Sequence, residues 1–491
     1  MGIPTEKKRL FTALFLLSAV FLLVRIRTIG HLLMWDEAWN ILSLRAFLAG
    51  AAKDPFYWYY GFHPPLYMFF AKFLAPFAEG FALRAESLSL LFSYGSFLAV
   101  FFLSRRIGGL KYAVLTGIFL CFMPSSIGYD TWIKRDALAV FTGYLSLLLI
   151  LDRRFLLSAM VLGLSFLSKE SALFFCLPAA FLIFTVSGGR KMRIFFMFAL
   201  VVLAISAWWY LFFSNLFGDV SAFYFSGEYY GKIWSRPAWY YLEKLVTDLG
   251  AGGVFFFLPG ILILPYFSYI KRKAEIALPV VVILCVYIPI SLLARTKTPW
   301  LSYSALPALA MTAGGGALFL FGRSHFSRLL RTILYLMLGL VVFTGSTFSY
   351  RQYHKSTYPN GWPGASSSRD LALYLNRHMD SNDRLMITDF AYWKMPICPI
   401  FVYYWRQHPV MFIKGTESPS EILRTIKEHR ISWFVVCDSP DKAYNHKALV
   451  EKMRLLLPGG PVRVGWSYVW DLSSYGGGSP AIAGKGIKEE N

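Results

Sequence analysis

The sequence predicts a polytopic α-helical membrane protein with a smaller α/β domain at its C-terminal end. Three observations carry that reading. Apolar residues cluster in runs of near bilayer length. Basic residues recur in short blocks between those runs. After residue 350 the chain changes to the alternating strand and helix pattern of a soluble domain.

The apolar runs dominate the composition. Of 491 residues, 56% are hydrophobic, 18% aromatic and only 16% charged. Mean hydropathy is +0.49. A soluble chain of this length would divide into several domains and carry more charge. Runs such as Phe11–Val24, Ile194–Phe213 and Ile276–Leu293 approach the ~20 residues that span a hydrocarbon core. The formal net charge is +21. On a soluble chain that excess would suggest nucleic acid. Here it sits in loops between apolar runs, as cytoplasmic loops require, so no nucleic-acid partner is expected. Lys7-Lys8-Arg9 before an apolar run resembles a signal peptide. No small-residue cleavage site follows, so the run reads as a retained first span.

The basic blocks set the topology. They are Lys7–Arg9, Arg105–Lys111, Arg153-Arg154, Arg190–Arg193, Lys271–Lys273 and Arg323–Arg331. If all are cytoplasmic, an even number of spans separates neighbours, and two fit each time. The spans fall at residues 10–26, 85–104, 112–128, 137–151, 155–168, 171–187, 194–214, 250–270, 276–293, 302–321 and 329–348. That is about eleven crossings. The N-terminus is expected in the cytoplasm and the C-terminus outside, in a multi-pass protein of the cell membrane. Residues 1–350 form the transmembrane domain, with a long first outer loop over 27–84.

Residues 351–472 read as an extracytoplasmic α/β domain. Ser367–Met379, Ser418–His429 and Ala443–Leu456 have helical character, and Arg384–Thr388 and Ile431–Cys437 read as strands. The Gly/Ser/Lys-rich residues 473–491 read as a disordered tail. Cys121, Cys176 and Cys285 lie in apolar runs as inert thiols. Cys398 and Cys437 either pair in an oxidising compartment or stay as two thiols. No CxxC cluster suggests a metal.

Charge near a bilayer is costly, so charges outside the cytoplasmic blocks are the candidates for chemistry. They converge on one face. Asp36-Glu37 just past the first span is either a base of raised pKa or a solvated helix cap. His63, before Pro64-Pro65-Leu66, either meets a phosphate or simply precedes a helix start. Asp130 and Asp136 flank Lys134-Arg135. They either orient substrate or a metal, or neutralise one another. Lys169-Glu170 lies between two apolar runs, and adjacency in a helix does not by itself make the two pair. Arg295 and Lys297, in Arg295-Thr296-Lys297-Thr298-Pro299-Trp300, suit a lipid-linked phosphate, or else snorkel to the interface. Aromatic residues over Phe223–Tyr241, with Glu228 and Arg236 among them, form an interface belt or stack on sugar.

In this order, the Asp-Glu pair, His-Pro-Pro-Leu, the Arg/Asp pair, the Leu-x-Lys turn and Lys-Thr-Pro-Trp resemble the GT-C glycosyltransferases. The group most resembled is that of the protein O-mannosyltransferases and lipid A aminoarabinose transferases, over about Leu10–Phe321. The resemblance implies a GT-C fold and an inverting hexosyl or pentosyl transfer. The donor is a sugar on a dolichyl or undecaprenyl phosphate, and the acceptor a protein, lipid or glycan. It implies Asp36 as general base, positioned by Glu37. Lys297, Arg295 and Lys169 serve the donor phosphate, and His63, Asp130, Arg135 and Asp136 the substrate. Related branches differ on a divalent metal, and none is assigned. A transporter or flippase, or a non-catalytic assembly factor, is the competing reading. A transporter predicts polar residues deep in matching halves, and no halves match here. The enzyme reading requires Asp36 and Lys297 to share one pocket.

Overall fold

The computed structural model describes residues 5–29, 35–48, 64–73, 81–212, 236–294, 297, 299–322, 327–355, 364–388, 401, 405, 410–413, 418–437, 446–457 and 459–473. The chain forms two compact units: residues 1–31 with 43–360, and residues 32–42 with 361–491.

The helices in chain order are α1 (Thr5–Ile26), α2 (Trp35–Leu48), α3 (Leu66–Lys72), α4 (Phe81–Phe122), α5 (Pro124–Tyr129), α6 (Asp136–Leu151), α7 (Phe155–Phe166), α8 (Cys176–Val186), α9 (Lys191–Phe212), α10 (Tyr240–Lys271), α11 (Leu278–Leu292), α12 (Leu306–Phe321) and α13 (Arg328–Lys355). The described residues of the segments expected to span are mostly helical. Among the described residues, seven helices are long and apolar enough to cross a membrane, and 136–151, 155–166 and 170–186 are shorter apolar helices.

The long α4 is two helices. Gly109 breaks it with φ 83° and ψ −176°, a backbone that side chains resist. A Cβ on Gly117 would lie 2.8 Å from Leu17 and 3.7 Å from Phe101. On one straight helix residues 101 and 117 would stand ~24 Å apart. The chain therefore reverses at Gly109, inside the basic block Arg105–Lys111, and Leu17 of α1 packs against the returning helix.

Helices α6 and α7 form a second antiparallel pair with a polar seam. The Ser146 and Ser158 hydroxyls meet at 2.8 Å, and Ser165 Oγ donates to Ala139 O at 2.8 Å. Seven residues along each helix link these contacts, which fixes the direction of packing. Helices α10 and α12 approach backbone to backbone. A Cβ on Gly260 would fall 2.0 Å from Thr312 O, and one on Gly316 2.0 Å from Phe256 O. Small residues permit this approach, the usual means of joining helices in lipid. A break at Gly250 (φ 72°, ψ 160°) separates Tyr240–Leu249 from the rest of α10.

The second unit contains α14 (Gly364–His378), β1 (Leu385–Thr388), β2 (Val410–Ile413), α15 (Pro419–His429), β3 (Trp433–Cys437), α16 (Lys447–Leu456), β4 (Val462–Val464) and β5 (Ser467–Asp471). The sheet order is β2-β1-β3-β5-β4. The first three strands run parallel, and β5 and β4 run antiparallel. Parallel neighbours need a crossover, and α15 supplies it between β2 and β3. Ile422, Phe434, Val436, Met453 and Trp470 build the core between the sheet and helices α15 and α16. Strands β2, β4 and β5 are additions to the sequence reading. Cys437 is buried at the end of β3, its amide donating to Thr388 Oγ1 at 2.9 Å. Cys398, the tail 474–491 and the aromatic residues 223–235 lie outside the described residues.

Candidate functional site

Polar side chains of the first unit gather where α1, α5, α6, α10 and the 3₁₀ turn Pro299–Ala305 meet. Arg25, in the last turn of α1, is fully buried. Its Nε donates to Asp130, its Nη2 to Leu120 O at 2.8 Å and Ser126 Oγ at 2.9 Å, and its Nη1 to Cys121 O at 3.1 Å. Asp130 also accepts from Ser126 Oγ at 2.8 Å and Tyr303 Oη at 2.7 Å. A buried charge needs this degree of pairing, and the planar guanidinium reaches several acceptors at once.

Asp136 turns elsewhere. At the first turn of α6 it receives Lys169 Nζ on both carboxylate oxygens, at 2.7 and 2.8 Å. The polar spot of the sequence therefore separates: its two carboxylates pair with different cations, Arg25 and Lys169. Lys134 places its ammonium 4.4 Å over the Trp132 ring, and Arg135 is buried. Lys169 pairs with Asp136, and Glu170 opens a 3₁₀ turn. The His-Pro-Pro-Leu segment is anchored beside this turn, because the Leu66 amide donates to Leu167 O at 2.8 Å.

Lys297 lies between α11 and the 3₁₀ turn. It is 6% exposed, and its Nζ donates to Ala294 O at 2.7 Å. Among the described residues it makes no ion pair. Burial lowers its pKa below the ordinary lysine value. An ammonium kept dry without a counter-charge is suited to an anion. Glu37 is buried on α2, in the part of that helix belonging to the second unit. The side chain of Asp36, and His63 and Arg295, lie outside the described residues.

The structure adds residues the sequence reading missed. Lys244 pairs with Asp248, and Ser125 Oγ donates to Asp248 at 2.5 Å. Lys244 also lies 5.5 Å over the Tyr129 ring. Adjacent Ser125 and Ser126 on α5 thus hold two different carboxylates. The spacing Lys244-x3-Asp248 is the local signal for that pair. Arg25 and Tyr303 carry no comparable signal. Among the described residues no three His, Cys, Asp or Glu side chains group as a metal site.

No family sequence model and no curated relative match the chain. Solved structures do. ArnT from Cupriavidus metallidurans bound to undecaprenyl phosphate aligns with TM-score 0.62 and 17% identity, over 93% of this chain and 97% of that one. Oligosaccharyltransferase AglB from Archaeoglobus fulgidus, in complex with an inhibitory peptide and a dolichol-phosphate, aligns with TM-score 0.60 and 12% identity, over 94% and 74%. Arabinofuranosyltransferase AftD from Mycobacteria aligns with TM-score 0.52 and 14% identity, over 96% and 40%. Identities this low speak to the fold, and the fold of this chain is that of the GT-C glycosyltransferases.

Proposed function

We propose that the chain is an inverting membrane glycosyltransferase. It moves a hexosyl or pentosyl group from a polyprenyl-phosphate carrier to a hydroxyl of a protein, lipid or glycan at the extracytoplasmic face. One observation carries this reading. Arg25, Lys169 and Lys244 are each paired with an aspartate, whereas among the described residues Lys297 is buried with a carbonyl as its hydrogen-bond partner. A phosphate would supply the charge that Lys297 lacks. The presence of undecaprenyl phosphate and dolichol-phosphate in structures of like fold supports the same donor class.

The chemistry needs few parts. Asp36 takes the proton of the acceptor hydroxyl, and the oxygen attacks the anomeric carbon. The bond from that carbon to the phosphate oxygen breaks in line, so the configuration inverts. The electron pair leaves on the polyprenyl phosphate, where Lys297, joined by Arg295, stabilises the charge. Glu37 positions the base, Asp136 fixes Lys169 beside the donor, and His63 and Arg135 line the substrate path. Asp130 acts through Arg25 and Tyr303 by holding this end of the bundle together.

The test is turnover in membranes that contain the chain and its native acceptors, supplied with undecaprenyl- or dolichyl-phosphate hexoses and pentoses and read as release of the free polyprenyl phosphate. Asp36→Asn is expected to abolish release, and Lys297→Gln to reduce it at least about hundredfold. Full activity of Asp36→Asn removes the proposed base.

A further inference from the structure

Among the described residues, two buried polar atoms of the first unit have no hydrogen-bond partner: Asp248 Oδ2 and Tyr287 Oη. Asp248 is 0% exposed and Tyr287 8%. Tyr241 links them. Its ring centroid is 6.0 Å from that of Tyr287, with the planes tilted by 30°. It shares a face of α10 with Lys244 and Asp248, by the helical spacing i, i+3, i+7.

The carboxylate is divided in its duties. Oδ1 takes Ser125 Oγ and Lys244 Nζ, which holds it in place. Oδ2 is left to accept. Native proteins rarely leave a buried polar atom unpaired, because the lost hydration is not recovered. Phenylalanine at position 287 would fill the same space without an orphan hydroxyl. Two such atoms together point to a guest that supplies their bonds.

The surroundings narrow the guest. It must donate a hydrogen to Asp248 Oδ2 and exchange one with Tyr287 Oη, which hydroxyl groups do. Lys244 already cancels the Asp248 charge, so a second cation has little to gain there. The Tyr241 and Tyr287 rings pack side by side in this neighbourhood, and aromatic surface suits the C–H face of a ring. A neutral polyol ring fits all three conditions.

We infer that Asp248, Tyr287 and Tyr241 form a subsite for the ring hydroxyls of the donor sugar. This rests on the transferase reading above. Both orphan atoms are shielded from solvent, so admitting the ring requires Tyr240–Leu249 to shift at the break at Gly250.

The experiment is donor-dependent turnover and thermal unfolding of the full chain, with the polyprenyl-phosphate sugars named above. Tyr287→Phe is expected to raise KM for the donor about three- to tenfold, the value of one lost hydrogen bond. Its kcat stays within about twofold, and its Tm is equal or higher because an unpaired hydroxyl is gone. Asp248→Asn still accepts from Ser125 but offers an amide donor where the sugar needs an acceptor, so KM rises again. Unchanged KM in both variants overturns the subsite while leaving the transferase intact. For Tyr287→Phe, which breaks no ion pair, loss of rate only together with a lowered Tm also overturns it, as a purely structural role. No turnover by the wild-type chain with any donor sinks the transferase reading, and the subsite with it.

Discussion

Lys169 closes a two-pronged ion pair on Asp136, its Nζ 2.7 and 2.8 Å from the two carboxylate oxygens. The partners are 33 residues apart in the chain and join the start of α6 to the turn after α7. Their side chains are only 13% and 11% exposed, so removing either one strands a largely buried charge. Lys169→Met or Asp136→Leu alone should destabilise by about 3 kcal/mol. The double variant should cost clearly less than the sum, because no lone charge remains. Thermal unfolding of the four proteins in detergent measures the coupling, and additive losses would contradict the pair.

Lys297 gives a pH signature. Its ammonium is held below the ordinary lysine value by burial, so it deprotonates earlier than a free lysine. Affinity for undecaprenyl phosphate should therefore fall as pH rises, with onset below the usual lysine range. Lys297→Arg should flatten that profile, since guanidinium stays charged. For the empty protein the stability effect has a set sign. The folded pKa lies below the unfolded one, so the unfolded chain binds more protons between them, and stability rises with pH across that window. A titration of Kd between neutral and alkaline pH checks the first claim. Calorimetric unfolding checks the second.

The helical segments are legible in the sequence because bilayer thickness forces near-continuous apolar runs and basic blocks mark their turns. Gly109 is the plainest case: the block around it announces a reversal, and a glycine permits it. The pairing of polar side chains is not legible. Arg25 reads as an ordinary cation at a membrane edge, and its carboxylate lies 105 residues further on. Asp130 and Asp136 read as one patch because they are close in sequence. Yet the turn after α5 sends Asp130 to Arg25 and Tyr303, while α6 aims Asp136 at Lys169. Strand β4, of three residues, is too short for a period of two to show, and β5 lacks the unbroken apolar run that marks β3.

The contact between α10 and α12 leaves no room for a methyl group. A Cβ at Gly316 would meet Phe256 O at 2.0 Å, and one at Gly260 would meet Thr312 O at the same distance. The obstruction is backbone, so a rotamer change cannot relieve it. Gly316→Ala should destabilise by at least about 3 kcal/mol, at or above the usual range for overpacking. Gly339 on α13 has nothing within 4 Å of its would-be Cβ, and Gly339→Ala should be neutral or slightly stabilising. Melting temperatures of the two variants in one detergent decide the matter.

Glu421 reports on the soluble unit. Its carboxyl is held below the usual range by the Ser418 amide at 2.9 Å, then by the Ser418 hydroxyl at 2.8 Å. The pair closes a capping box at the start of α15. A depressed carboxylate pKa means stability that is complete above the unfolded value and lost as pH falls through the folded one. Amide protection factors over residues 418–422 should therefore fall as pH drops below the ordinary carboxylate range. Glu421→Gln should show lower protection at neutral pH and little further loss of protection on acidification.

Arg25 tests whether Asp130 is structural or touches substrate. The guanidinium spans Asp130, Ser126 and the carbonyls of Leu120 and Cys121, more acceptors than one ammonium can meet in the same places. Arg25→Lys should therefore lose most of the stability that Arg25→Ala loses, on the order of 3 kcal/mol. Tyr303→Phe deletes a single bond to Asp130 and should cost about 1 kcal/mol. Asp130→Asn should lower Tm and turnover in parallel, because its oxygens are already taken by Arg25, Ser126 and Tyr303. A variant at Asp130 that keeps its Tm but loses kcat would mean that the carboxylate meets the substrate, and this account of the Arg25 cluster would have to be abandoned.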